Sequence, residues 1–329
     1  MRLLVAAVLA VLPAPSLAQG SARQSIEVRA TPITHFRMGS SETRFGELEF
    51  VGGFEMRRGE RVFGQLSALR FLTPGSDFIG VADHGYWFFG AIERDEEYRP
   101  VGVRDFTMQA MVDGRGNVIE DKTAKDAEGL DVHEGVATVA FERIARVSEY
   151  AIDPARMRGP LRDLDFIVPR RELRHNQGFE TVARAPAQGV QEGARIVVAE
   201  RSVDPAGNIF AAILEGPERG LFKVVRSDDF DVTDGVFLPD GDLLLLERRF
   251  SLAQGVAMRL RRIPGDTIRS DALVDGPVLM EADLAYRIDN MEGLDVWERA
   301  DGALIVSLIS DDNQSFLQRT IYLEFVLSR

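Results

Sequence analysis

Residues 290–313 read NMEGLDVWERADGALIVSLISDDN, and this stretch decides the fold. Two apolar runs flank Asp301-Gly302, a residue pair typical of a tight turn between antiparallel strands. In such a hairpin, residues at equal distances from the turn face each other, so Glu292 and Asp311 meet at its open end. The stretch therefore predicts a β-hairpin that carries two acids at one end.

The same arrangement, two anchor residues around a central turn, occurs five times along the chain. First anchors recur roughly every 50 to 60 residues. They are Ser67, Glu128, Glu180, Asp234 and Glu292, and the second anchors are Asp83, Glu142, Glu200, Glu247 and Asp311. Turn residues lie at or beside the centres of the other four units, namely Gly75, Gly135, Gly189 and Asp240-Gly241. The chain is therefore a series of five related units.

Units of this length suit the four-stranded blades of a β-propeller. Short apolar runs such as RIVVAE, DLLLLE and TIYLEFVL recur between turn residues, and long amphipathic helices are scarce, which is typical of an all-β protein. We expect six blades, with five or seven as alternatives, and a ring closed by pairing the N- and C-terminal strands in one composite blade. A β-sandwich is the other candidate, but it does not explain the shared spacing of the anchors.

The start of the chain predicts export. Arg2 precedes an apolar run, residues 3–12, and a segment of small residues that ends at Ala18. This pattern indicates a signal peptide over residues 1–18, cleaved near Ala18, followed by one domain over residues 19–329. We expect a soluble periplasmic or secreted protein without a transmembrane segment. A cytoplasmic protein with an apolar N-terminal arm is the alternative.

Composition excludes several function classes. A net charge of −13 makes nucleic acid an unsuitable partner, because binding to the phosphate backbone requires a basic surface. The chain has no cysteine, which excludes disulfides, thiol catalysis and thiolate metal sites. The G-x-S-x-G, H-E-x-x-H and G-x-x-x-x-G-K motifs are absent. We expect a monomer whose partner is a small anionic substrate or ligand.

Several segments, taken in order, resemble the phytase-like β-propeller family, often described as having esterase-like activity. They are FGQLSALRFL, GVADHGYWF, DAEGLDV, AFERIARVSEY, LLLLERRF and NMEGLDVW followed by ISDDN. The resemblance covers essentially the whole chain after the signal peptide, and it implies an exported propeller related to phosphate-ester hydrolases. Two positions depart from the acidic pattern: Ser67 holds a first-anchor position, and Thr181 stands where two other units have Gly.

Equivalent blade ends face one rim of a propeller's channel, so the anchor acids should converge there. The candidate metal ligands are Glu128, Glu180, Asp234, Glu292, Asp83, Glu142, Glu200, Glu247 and Asp311. So many carboxylates cannot all stay ionised without compensating positive charge. Arginines next to the second anchors could supply it, namely Arg143, Arg201, Arg248 and Arg249. Calcium is the equal alternative, since it takes six to eight oxygen ligands, and Asn176, Asn290 and Asn313 lie near the anchors.

If calcium binds, we expect metal-assisted hydrolysis of a phosphate ester or another ester. Glu128, Glu180, Glu292 and Asp311 would hold the metal, which would activate a water. The candidate catalytic residues are Glu128, Glu292, Arg201, Arg248 and His84, with an Arg stabilising phosphoryl charge and His84 as acid or base. The alternatives are a ligand-binding propeller without turnover, a protein-interaction module of the cell envelope, and purely structural pairing of the acids with Arg.

Overall fold

The computed structural model describes residues 22–251, 253 and 255–328. The predicted signal peptide, residues 1–18, lies outside these residues, and it stays a prediction. Within the described part the protein is all-β, and its one helical segment is a 3-10 turn at Gly265–Thr267. No helix in this part has the length and apolar character that crossing a bilayer requires.

In the described residues, twenty-four strands form five separate sheets. In chain order they are β1 (Gln24–Ser25), β2 (Val28–Ile33), β3 (Arg44–Phe45), β4 (Leu48–Arg58), β5 (Leu66–Phe71), β6 (Asp77–Ala82), β7 (Tyr86–Arg94), β8 (Pro100–Ala110), β9 (Ala127–His133), β10 (Val136–Phe141), β11 (Arg146–Ala151), β12 (Arg162–Leu164), β13 (Phe179–Arg184), β14 (Arg195–Val203), β15 (Ile209–Ile213), β16 (Gly220–Val224), β17 (Asp231–Phe237), β18 (Leu243–Ser251), β19 (Gly255–Ile263), β20 (Leu273–Val274), β21 (Val278–Ala282), β22 (Asn290–Glu298), β23 (Leu304–Asp311) and β24 (Thr320–Leu327).

Each sheet is one blade of a propeller, built mainly from consecutive antiparallel strands. The first blade contains β5 to β8 with β1 on its outer edge, and the second contains β9 to β12. The third contains β13 to β16 and β20, and the fourth contains β17, β18, β19 and β21. The fifth runs β22, β23, β24, β4, β2. The inner strands β5, β9, β13, β17 and β22 each contact the next one around the ring, so they enclose a central channel.

The apolar core lies between the blades. Each sheet packs against a neighbour on both faces, so its strands bury consecutive residues instead of alternating ones. In β18, for example, all four residues from Leu243 to Leu246 are fully buried. One core cluster joins Val147 of the second blade, Val197 of the third and Leu245 of the fourth. This packing explains why the strands appear in the sequence as short continuous apolar runs.

The ring closes in the fifth blade. Strand β24 pairs with β23 on one side and with β4 on the other, so the two ends of the chain share one sheet. The predicted β-propeller and its composite blade are confirmed, and the structure excludes the β-sandwich. The blade count is five, one of the two alternatives, and not the favoured six. The end strands extend the hairpin of the fifth repeat into a full blade, so none of the described strands remains for a sixth blade.

Candidate functional site

A β-bulge occurs at the same place on every inner strand. The pairing register with the second strand skips one residue at Ser67, Glu128, Glu180, Thr233 and Glu292. A bulged residue is left out of the regular pairing, and bulges commonly redirect a side chain next to a functional site. The five bulges therefore define five equivalent positions at one end of the channel, which we call the rim.

The second rim position of each blade lies on the second strand, directly after the residue that pairs with the inner-strand residue preceding the bulge. It is occupied by Asp83, Glu142, Glu200, Arg248 and Asp311. In the fourth blade Val232 pairs with Glu247, so Arg248 holds the position that an acid holds in the other four. The rim thus combines seven of the nine predicted acids with one arginine.

Asp234 and Glu247 lie away from the rim, each one residue from the rim position of its strand. Asp234 is fully buried inside the channel, where both carboxylate oxygens accept hydrogen bonds of 2.8 Å from Arg70. Glu247 is fully buried against β19, between Arg259 and Arg261. Because arginine already pairs with both carboxylates, we leave these two residues out of the candidate site.

Two carboxylate triplets occupy the rim of the second and third blades. One consists of Asp126, Glu128 and Glu142, and the other of Glu142, Glu180 and Glu200. Within each triplet, one oxygen from every residue lies within 4.8 Å of the others, and Glu142 belongs to both. Asp126, which directly precedes β9, was not among the predicted ligands. Its backbone carbonyl accepts a hydrogen bond from the amide of Glu142 at 3.0 Å, which fixes it beside the rim.

Burial and mutual repulsion shift the titration of these acids. Desolvation, followed by repulsion from Glu200 and Asp126, raises the pKa of Glu142 to about 8. Desolvation raises the pKa of Glu200 to about 7, although Arg248 opposes this shift. Desolvation and neighbouring carboxylates also raise the pKa values of Glu128 and Glu180 well above their ordinary range. At neutral pH the cluster therefore needs protons or bound cations.

Two arginines compensate part of this charge. Arg143 forms an ion pair of 2.8 Å with Asp126. Arg248 lies 3.3 Å from Glu200 and 3.8 Å from Glu292, and it donates a hydrogen bond to Asn290. By contrast, Glu128 and Glu180 form no ion pair with any Lys or Arg of the described residues. Each triplet therefore contains one carboxylate, besides the shared Glu142, that has no arginine partner among the described residues.

The other predicted residues are placed as follows. Glu292 accepts a hydrogen bond of 2.7 Å from Asn290, and Asp311 accepts one of 2.7 Å from the amide of Asn313. Repulsion from Glu292 and Asp83, after desolvation, raises the pKa of Asp311, so these three acids share the same rim. The side chain of Arg201 is half-exposed and lies 3.8 Å from Asp231. Arg249 packs over Phe230, and Asn176 is exposed.

A cavity of about 400 Å³ lies beside the first triplet. Its lining includes Lys122, Lys125 and Arg143 next to Asp126 and His84. The ring of His84 donates from Nε2 to the carbonyl of Val62 at 3.1 Å, and it stacks on Tyr86. Its Nδ1 is buried without a hydrogen-bond partner among the described residues, 3.6 Å from Asp83. The cavity is therefore lined by three cationic side chains and by His84.

Comparisons with known proteins address the fold and the family. No curated protein matches the sequence. Among solved structures, an endo-arabinase from Bacteroides thetaiotaomicron aligns over 79% of this chain and 93% of its own, at 12% identity and a TM-score of 0.49. A PQQ-bound aldose sugar dehydrogenase from Streptomyces coelicolor aligns over 92% and 99%, at 10% identity and a TM-score of 0.41. Alignments this weak say nothing about function.

The family assignment rests on a sequence model that matches residues 61–314, most of the propeller. The matched segment begins before β5, the inner strand of the first blade, and ends just after the second anchor of the fifth, so it includes every rim position described above. The expected resemblance is thereby confirmed. The chain belongs to the phytase-like family, described as "Esterase-like activity of phytase".

Proposed function

We propose that this protein is an exported ester hydrolase that uses divalent cations, with calcium at the acidic rim and a phosphate ester as its substrate class. The observation that carries the proposal is the pair of carboxylate triplets that share Glu142. Membership of the phytase-like family supports the ester chemistry, and export rests on the sequence of residues 1–18.

The donor set of the triplets fits calcium. Calcium binds oxygen ligands almost exclusively, and carboxylates are its most common charged ligands in proteins. Asp126, Glu128, Glu142, Glu180 and Glu200 present only carboxylate oxygens, and Glu128, Glu142 and Glu180 form no ion pair with a Lys or Arg of the described residues. When bound, a divalent cation would neutralise substrate charge and lower the pKa of a bound water.

The protein's own residues would position the substrate in the cavity beside the first triplet. Lys122 and Lys125 would bind the anionic group of an ester, because both line this cavity, and Arg143, paired with Asp126, would add a third cationic side chain. His84 donates from Nε2 to a backbone carbonyl, so in the neutral ring Nδ1 keeps its lone pair and can accept a proton from water. We assign His84 the role of general base.

Arg248 has a positioning role in this scheme. Its guanidinium is held between Glu200, Glu292 and Asn290, so it would orient those two carboxylates, and it does not line the cavity proposed for the substrate. Arg201 is half-exposed and shares Asp231 with Arg226, and we give it no part in the chemistry.

The test is release of phosphate from phytate by residues 19–329, with calcium and after chelation, beside release of nitrophenol from a nitrophenyl ester. We expect calcium-dependent release that falls at least a hundredfold in Glu142→Gln, since this change removes a ligand from both triplets. The matched control is Glu134→Gln, an exposed acid at the turn of the same hairpin, which should retain full activity.

Absence of turnover with either substrate, by protein shown to be folded, would contradict the hydrolase proposal. The second candidate, a propeller that binds an anionic ligand without turnover, would then be favoured, because three cationic side chains already line one cavity. Equal activity of wild type and Glu142→Gln would instead place the chemistry away from the triplets.

A further inference from the structure

A second cavity lies at the end of the channel opposite the rim. It has a volume of about 430 Å³, and the last residues of all five inner strands line it. Small-molecule sites in proteins commonly occupy 300 to 1,000 Å³. The rim residues stand at the other ends of these strands, so the cavity is distinct from the proposed cation site.

The walls of this cavity combine apolar and ionisable side chains. Phe71, Val132 and Val236 contribute apolar surface. Asp131 and Asp295 are each 8% exposed. Arg184 also lines the cavity. The guanidinium of Arg70 also reaches this end, but its bidentate contact with Asp234 already neutralises its charge.

Two buried atoms in the cavity wall lack hydrogen-bond partners among the described residues. They are Oδ2 of Asp131, from the second blade, and Nε of Arg184, from the third. The two atoms form an ion pair of 3.6 Å, which is too long for a hydrogen bond between them. Leaving a buried polar atom without a hydrogen-bond partner is costly, so a missing group that bonds to both atoms would stabilise this ion pair.

The chemistry of the missing group follows from the two atoms. It must accept from the Arg184 N–H and donate to the Asp131 carboxylate. A hydroxyl does both, whereas an ammonium only donates and a carboxylate only accepts. An oxygen at an ordinary hydrogen-bond distance of about 2.8 Å can reach both atoms at once. Asp295 accepts from the amides of Phe71 and Val296, and its remaining lone pairs can take further hydroxyls.

We propose that this cavity binds a small polyhydroxylated molecule, a sugar or polyol, with one hydroxyl between Asp131 and Arg184. The apolar wall would contact the carbon skeleton of the ligand, and Asp295 would accept from other hydroxyls. The site is independent of the proposed hydrolysis at the rim, so either proposal can fail without the other.

The test is calorimetric titration of residues 19–329 with four probes, D-glucose, L-arabinose, myo-inositol and glycerol, and with choline and acetate as charged comparison compounds. We expect at least one of the four probes to bind. Asp131→Asn should weaken its binding roughly tenfold, because an amide has one oxygen that accepts hydrogen bonds whereas a carboxylate has two. The matched control is Asp77→Asn, an exposed acid outside the cavity, which should bind like wild type.

A second variant keeps the proposal testable if Asp131→Asn does not fold. Ala187→Trp changes an exposed loop residue that lines the cavity, and the bulky ring should block binding without disturbing the core. Binding of none of the four probes, or equal binding by wild type and Ala187→Trp, would overturn the proposal and leave water as the occupant. Tighter binding of choline or acetate than of any polyol would overturn the hydroxyl assignment.

Discussion

At the scale of single residues, Arg70 and Asp234 form the most completely buried ion pair in the channel. Arg70 is 5% exposed and Asp234 is fully buried. Besides its two bonds to Asp234, Arg70 donates to the carbonyls of Leu294 and Gly235. The pair links the first blade to the fourth and fifth across the channel. Such a pair is costly to break, because the remaining charge stays buried without a partner.

We expect Arg70→Met to lower the free energy of unfolding by about 3–5 kcal/mol, since it leaves Asp234 uncompensated. The double variant Arg70→Met with Asp234→Leu should recover much of this loss, because no buried charge remains. Urea denaturation of both proteins measures the difference. The control is Arg29→Met, because the Arg29 side chain is 85% exposed, and this change should alter the free energy of unfolding by less than about 0.5 kcal/mol. A single variant as stable as wild type would refute this role of the pair.

The rim also shows what residue patterns could and could not predict. Seven of the nine predicted acids converge there, because spacing and turn residues give the hairpins correctly. In the fourth unit both rim positions lie one residue outside the predicted anchors, at Thr233 and Arg248. Moving both positions outward by one leaves the turn centre at Asp240-Gly241 unchanged, so symmetry about the turn could not detect the offset. The tertiary pairing register was needed.

At the scale of elements, the fifth blade depends on close contact between β4 and β24. Gly53 of β4 pairs with Leu323. A Cβ atom at Gly53 would lie 2.4 Å from the carbonyl oxygen of Tyr322 and 2.8 Å from the side chain of Leu323. The first of these atoms belongs to the backbone and cannot move without displacing the strand. The composite blade therefore requires glycine at this position.

We expect Gly53→Ala to destabilise the protein by about 1–3 kcal/mol, the usual cost of overpacking a close contact. The control is Gly59→Ala, just beyond the same strand, where the nearest atom to a new Cβ would be 3.6 Å away. This control should be neutral or slightly stabilising, because it lowers the entropy of the unfolded chain. Thermal unfolding of the two variants compares them directly. Equal melting temperatures would show that the β4–β24 contact tolerates a side chain.

At the scale of the whole molecule, the repeats predict a propeller but do not fix the number of blades. The count depends on whether the end strands complete an existing blade or build another. Strand β24 follows β23 as the third strand of the fifth repeat, and β4 and β2 supply the outer strands. This pairing joins residues that are far apart in the sequence, from Thr320 with Met56 to Leu327 with Leu48, and no local pattern in the sequence specifies it.

The charge of the rim makes global stability depend on pH. Several rim acids have raised pKa values, with Glu142 at about 8 against an ordinary value of 4.5. Between these values the folded protein retains protons that the unfolded chain has released. The free energy of unfolding therefore falls as pH rises through this window. A cation bound by the ionised carboxylates would oppose this loss, and its effect should grow with pH because protons compete for the same oxygens.

The most direct test of the cation site is therefore the melting temperature of residues 19–329 at about pH 5 and about pH 8, with calcium and with chelator. We expect chelated protein to melt lower at the higher pH, and calcium to raise the melting temperature mainly there. The calcium effect should be much smaller in Glu142→Gln and unchanged in Glu134→Gln. A melting temperature that does not respond to calcium at either pH would contradict the central claim that the rim carboxylates bind a cation.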